Sequence, residues 1–178
     1  MSYQRLLIGV SVLALALSVT AQQPDKSKRP SPPGTAEVTI QGKKITIEYS
    51  RPSLRGRKAM GGDLVPYGRV WRTGANEATT LTTEADLNIG GAIVPAGKYT
   101  LYTLPSEGTW KLIINKQTGQ WGTVYNQDQD LARVDFKKSA LKDSVEQFTI
   151  AFDKQAMNSA TLMLRWENTQ VSVEVSVQ

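Results

Sequence analysis

The chain contains neither histidine nor cysteine. That absence removes Ser-His-Asp and Cys-His nucleophile systems, the usual zinc sites, and haem or iron–sulfur ligation. Carboxylates, lysine, tyrosine and arginine are left to do chemistry, and a metal, if bound, would be a hard cation held by oxygen. The residues able to act within those limits gather in one stretch from Ser50 to Thr80, SRPSLRGRKAMGGDLVPYGRVWRTGANEATT. Six cations (Arg51, Arg55, Arg57, Lys58, Arg69, Arg72) stand there with two acids, Asp63 and Glu77. An aperiodic run of this length inside a compact domain is either functional or disordered, and its Pro, Tyr and Trp residues argue for order.

Three chemistries fit this stretch. In VWRTGANEATT, Gly74 permits a tight turn that can present Arg72, Asn76 and Glu77 toward one polar ligand, such as a sugar or an organic acid. The plainer alternative is that Arg72 pairs with Glu77 while Asn76 bonds its own backbone. Arg51, Arg55, Arg57 and Lys58 have the planar forks and charge of an anion site, against the simpler account of a solvated basic loop. Glu77 or Asp63 could serve a hydrolase as general acid or base, with Arg72 or Tyr67 stabilising developing charge. Gly56, Gly61 and Gly62 lack the spacing of a phosphate loop.

A second polar segment, WGTVYNQDQD, holds Trp121, Tyr125 and Asn126. Trp121 is expected to fold back over one end of the core, the alternative being a stacking platform. Asn126, Asp128 and Asp130 have the alternate spacing of a calcium loop, but Leu131 stands where glycine is needed and Lys137 where a bidentate Glu is needed. Ser139 and Lys142 match S-x-x-K without its companion motifs.

The elements that must position these residues are strands. Period-two alternation is evident in Ile45, Ile47 and Tyr49 against Lys44, Thr46 and Glu48, and again in Phe148, Ile150 and Phe152. It is clearest in Val171, Val173, Val175 and Val177. Gln41-Gly42-Lys43, Gly90-Gly91 and Asn168-Thr169 read as hairpin turns, and Pro95-Ala96-Gly97 and Pro105 to Gly108 as further turns. No window sustains helical spacing. About ten short strands with regular turn signals indicate an antiparallel β-sandwich, the alternative being a closed lipocalin-like barrel.

Ahead of the strands, Arg5, the apolar stretch Leu6 to Val19 and the small residues at Val19-Thr20-Ala21 have the three parts of a secretory leader, so residues 1–21 are expected to be a signal peptide cut near Ala21. Its apolar stretch falls short of the roughly 20 residues a membrane span needs. Gln22 rather than Cys follows, so no lipid anchor is expected. Residues 22–35, rich in Pro, Ser and Lys, are expected to be a flexible tether, and 36–178 a single sandwich domain. The expected location is periplasmic or extracellular. A net charge of +5, spread rather than clustered, does not suit a nucleic-acid surface.

The segments RPSLRGRKAMGGDLVPYGRVWRTGANEATTL, IVPAGKYTLYTLP and WKLIINK resemble the bacterial secreted family known as domain of unknown function 2911. The likeness covers nearly all of Ala36 to Val177. It rests on Arg51, Pro52, Gly56, Pro66, Tyr67, Gly68, Trp71, Arg72, Gly74, Asn76 and Glu77, with Pro95, Gly97 and Tyr99 in a hairpin. It implies an exported β-rich domain and supplies no catalytic residue.

These observations lead to an exported, noncatalytic β-sandwich that binds a polar small molecule or cell-envelope component through the Arg51 to Glu77 loop. The expected contact residues are Arg51, Arg55, Tyr67, Trp71, Arg72, Asn76 and Glu77, their polar tips meeting in one place. No cofactor, metal ligand, nucleic-acid partner or stable membrane insertion is expected. The alternatives are the carboxylate hydrolase and an interaction module that adds a strand at its valine-rich C-terminal edge.

Overall fold

The computed structural model describes residues 25–154 and 156–178. The expected leader and the first residues of the expected tether lie outside them. Ten strands form two antiparallel sheets packed face to face, so the chain is an all-β sandwich and not a closed barrel. One sheet has six strands, built from β1 (Pro33–Ile40), β2 (Lys43–Ser50), β3 (Thr80–Thr83), β6 (Gly97–Leu104), β7 (Lys111–Asn115) and β8 (Asp130–Asp135) in that order. The other has four, in the order β5 (Ala92–Val94), β4 (Leu87–Ile89), β10 (Ser159–Val177) and β9 (Lys137–Lys154). Among the described residues no helix is long and apolar enough to cross a membrane.

The core is what the alternation dictates. Ile45, Ile47, Leu81, Leu101, Leu112 and Ile114 from the larger sheet meet Leu87, Ile89, Phe148, Ile150, Leu162 and Val175 from the smaller one, all buried. Each such side chain contributes on the order of 1.5–3 kcal/mol on leaving water, and with no disulfide this burial carries the fold. Two hairpins close as their residues require. Ile40 faces Lys43 across Gln41-Gly42, and Ile89 faces Ala92 across Gly90-Gly91. All four turn residues have positive φ, the condition of the tight turn that matches strand twist.

Two expectations are corrected. Asn168-Thr169 is not a hairpin: Ala160 to Val177 run as one strand, both halves pairing with β9 and the end also with β4. A bulge replaces the reversal, with Glu167 at φ 52 and residues 141–144 of β9 bowed out opposite Asn168. The second correction follows from sheet order. β10 lies between β4 and β9 and is not an edge strand of its sheet, β9 pairing it as far as Ser172 and β4 at Val175 to Val177.

The edge of β9 is covered instead by the start of the 51–79 connection. Leu54 N–H donates to Glu146 O (2.9 Å) and Phe148 N–H to Pro52 O (2.9 Å), around the Ser53 and Gln147 bridge. Strand edges left unpaired invite aggregation, so this half of the loop has a structural task. Its later half runs beside β6, where Trp71 and Thr103 exchange both backbone hydrogen bonds.

Candidate functional site

The expected contact residues do not meet in one place. Arg51 lies against β9, its Nε donating to Phe148 O (3.3 Å) and Nη2 to Thr149 Oγ1 (3.1 Å). Arg55 Nη2 reaches Pro30 O (3.1 Å), and Arg57 donates to Leu54 O and Ser53 O (3.0 Å each). These guanidinium groups each spend at least one donor on a carbonyl or hydroxyl of the loop and its neighbours, so they are not a merely solvated patch. Trp71 is mainly a core residue, packed edge-on to Phe148 with ring centroids 5.0 Å apart and stacked on Trp166 at 5.9 Å, with one edge in the cleft that Arg72 lines. Tyr67 stands in a separate open cleft with Lys58 and Glu107, beneath the Lys138 ammonium.

Arg72 and Glu77 do not pair either. They are separated by a short two-stranded ribbon in which Gly122 N–H donates to Asn76 O (2.9 Å) and Ala78 N–H to Gln120 O (3.2 Å). This pattern leaves Glu77 and Trp121 directly opposed, with their side chains on one face. The other face carries Gly122, and Arg72 lies on it. A Cβ added at Gly122 would stand 2.8 Å from Arg72 Cδ and 2.8 Å from Asn76 O, so only glycine lets the arginine pass. Trp121 does not fold back over the core: it is 51 % exposed on the Glu77 face.

On that face a cleft of about 290 Å³ is lined by Lys26, Arg29, Tyr49, Ser50 and Glu77. Arg29 Nη1 donates to both Glu77 carboxylate oxygens (2.9 Å each), and Lys26 Nζ lies 3.1 Å from Oε1. The Arg29 hydrogen bond first, then a backbone donor and Lys26, against the opposing effect of burial, hold the Glu77 carboxyl down to about 2. Asn76 Nδ2 donates to Ser31 O (3.1 Å), not to its own backbone. Residues 25–32, expected as part of a tether, thus lie across the loop as a strap, and β1 begins at Pro33.

The opposite cleft, about 300 Å³, is lined by Asp63, Leu64, Val70, Arg72, Tyr102 and Tyr125 among others. Arg72 Nε donates to Gly74 O (3.3 Å), which fixes the guanidinium plane. Its two terminal nitrogens have no protein partner among the described residues, and neither does the Asp63 carboxylate. The two tyrosines are locked. Tyr102 Oη donates to Val124 O (2.6 Å) and accepts from Gln120 Nε2 (2.9 Å). Tyr125 Oη donates to Asp130 Oδ2 (2.7 Å) and accepts from Arg133 Nη2 (2.7 Å). Burial, reinforced by Asp130, pushes the Tyr125 phenol up to about 12, so it stays protonated at neutral pH.

Backbone strain marks the same connection. Thr73 and Asn76 hold φ of 55 and 57, and Thr73 is fully buried, its carbonyl accepting from Thr79 Oγ1 at 2.7 Å. Non-glycine residues in this region persist only where their surroundings over-determine them, and they concentrate at ligand clamps.

A family model spans residues 31–175, from the end of the strap to Val175 in β10. The chain belongs to the family described as protein of unknown function DUF2911. No curated protein and no solved structure matches it. The family description supplies no chemistry, so within this DUF2911 domain the geometry must argue alone. It speaks against paired carboxylates: Asp63 and Glu77 line different clefts, and a glycosidase-type pair must flank one substrate. Glu77, ionised and paired, is also a poor proton donor. Among the described residues no group of three or more metal-ligating side chains gathers, and Asp130 is engaged by Asn115, Tyr125 and Arg133.

Sequence reasoning singled out Arg72, Asp63 and Tyr125 but not that they share a cleft. It missed Gly122, Tyr102 and the partners Lys26 and Arg29. The composition of WGTVYN, a glycine between aromatics, was the available signal for Gly122. For Tyr102, inside a regular strand, there was none.

Proposed function

We propose that this protein is an exported, noncatalytic binding protein that takes a small polar ligand in the Arg72 cleft. The observation that supports this is a guanidinium oriented through Nε while both terminal nitrogens remain open, in a concavity walled by locked aromatic rings. Such a group presents a preorganised fork to a carboxylate or to a pair of hydroxyls, at little cost in side-chain ordering on binding. Export rests on the leader-like residues 1–21 and places the ligand in the periplasm or outside the cell. Glu77, Asn76, Arg51 and Arg55 take a supporting role in this reading, tying strap, loop and β9 together so that the ribbon under Arg72 is held in place. Calorimetric titration of a sugar and organic-acid panel tests it. Binding is expected for at least one member and is expected to fall at least about tenfold in Arg72→Ala, the loss of one charge-assisted contact, while the thermal midpoint stays put. Absence of binding across the panel would leave the loop as edge cover and scaffold only.

A further inference from the structure

We infer that the ligand of the Arg72 cleft is a compact zwitterion, a free α-amino acid, whose carboxylate sits on Arg72 and whose ammonium sits on Asp63. This rests on the binding reading above and narrows it.

The cleft holds one cation and one anion that both lack partners. Arg72 and Asp63 line the same concavity, yet no nitrogen and oxygen of theirs lie within the 4.0 Å of an ion pair. Two opposite charges that line one small cleft without pairing, Arg72 half-buried and Asp63 exposed at its rim, are matched by a ligand that carries the complementary pair at its own two ends. A simple anion would satisfy Arg72 but face the Asp63 carboxylate, and a simple cation would face Arg72. The arrangement therefore selects against both singly charged classes as well as for the doubly charged one.

The rest of the lining suits the remainder of such a molecule. The hydroxyls of Tyr102 and Tyr125 each already donate one hydrogen bond and accept another, so ring surface is what they add to the cleft. Leu64 and Val70 supply aliphatic wall. At about 300 Å³ the cleft lies at the lower end of the roughly 300–1,000 Å³ found for drug-sized ligands, which favours a small molecule over an oligomer.

The test is calorimetric titration of the full chain at neutral pH and low salt with four probes sharing one apolar body: L-leucine, N-acetyl-L-leucine, L-leucinamide and isovalerate. L-Leucine is expected to bind at least about tenfold more tightly than each of the other three, since each lacks one charge-assisted contact. Asp63→Asn is expected to lower leucine affinity by about tenfold while leaving N-acetyl-leucine unchanged or improved, and Arg72→Gln to erase the preference for leucine over leucinamide. The comparison of probes on the unaltered protein decides the matter even if a variant fails to fold. If N-acetyl-leucine or isovalerate binds as tightly as leucine, or if only a sugar binds, the zwitterion inference falls while the Arg72 cleft stands as a binding site. If neither these probes nor the sugar and organic-acid panel binds, both fall.

Discussion

Replacing Glu77 by glutamine should loosen the strap in a manner that pH reveals. The carboxyl is held at about 2 against an ordinary 4.5, chiefly by Arg29. Because the folded value is depressed, the stabilisation is fully present above about 4.5 and is lost as pH falls through about 2. Taken at face value the displacement corresponds to about 3 kcal/mol. The Glu77 side chain is 40 % exposed and Lys26 49 %, so solvent screening reduces the expected contribution to about 1 kcal/mol. With a urea dependence of about 1–3 kcal/mol/M for a domain of this size, Glu77→Gln should lower the unfolding midpoint by roughly 0.5 M at pH 7. The gap between the two proteins should narrow steadily from pH 4.5 toward pH 2, and at pH 7 it should shrink in 1 M salt. An equal gap at pH 7 and pH 2.5, or none at pH 7, would refute the assignment of the strap to this ion pair.

Gly122→Ala should cost about 1–3 kcal/mol in urea unfolding and weaken ligand binding, because the new methyl meets Arg72 Cδ and Asn76 O at 2.8 Å; a neutral variant with full binding would contradict the ribbon geometry. Glu167→Ala should cost about 1–3 kcal/mol and speed hydrogen exchange at Met60, whose N–H lies 2.8 Å from the Glu167 carboxylate; unchanged exchange would mean the bulge does not anchor the loop. Iodide should quench one of the four tryptophans, Trp121, since Trp71, Trp110 and Trp166 are 2–7 % exposed; Trp121→Phe should abolish the quenching with less than about 0.5 kcal/mol lost, and retention of the quenching would place another indole at the surface.

Wherever local chemistry decided the outcome, the chain was readable. Gln41-Gly42 and Gly90-Gly91 announce hairpins because positive φ at both positions is a local demand, and the alternation of Ile45, Ile47 and Tyr49 announces a buried face. Length and continuity of strands were not local. Asn168-Thr169 looks like a turn, but pairing of both flanks with β9 keeps the chain straight, and the irregularity is absorbed as a bulge at Glu167. The polar residues were harder still, since their partners come from afar. Glu77 sits five residues from Arg72 yet bonds Arg29, 48 residues upstream, while Arg51 spends its donors on Phe148 and Thr149 nearly 100 residues downstream. Arginine clustering in sequence therefore said that the loop was unusual without saying which guanidinium would line a cleft with its terminal nitrogens open. The path of Arg72 depends on Gly122, whose missing side chain matters only once the ribbon has formed.

The most direct test is a map of backbone amide resonances during titration with the tightest-binding member of the combined sugar, organic-acid and amino-acid panel. The account predicts shifts concentrated at residues 63–72 and 122–125, absent in Arg72→Ala. Shifts centred instead on Lys26, Arg29 and Glu77, or no shifts at all, would contradict it.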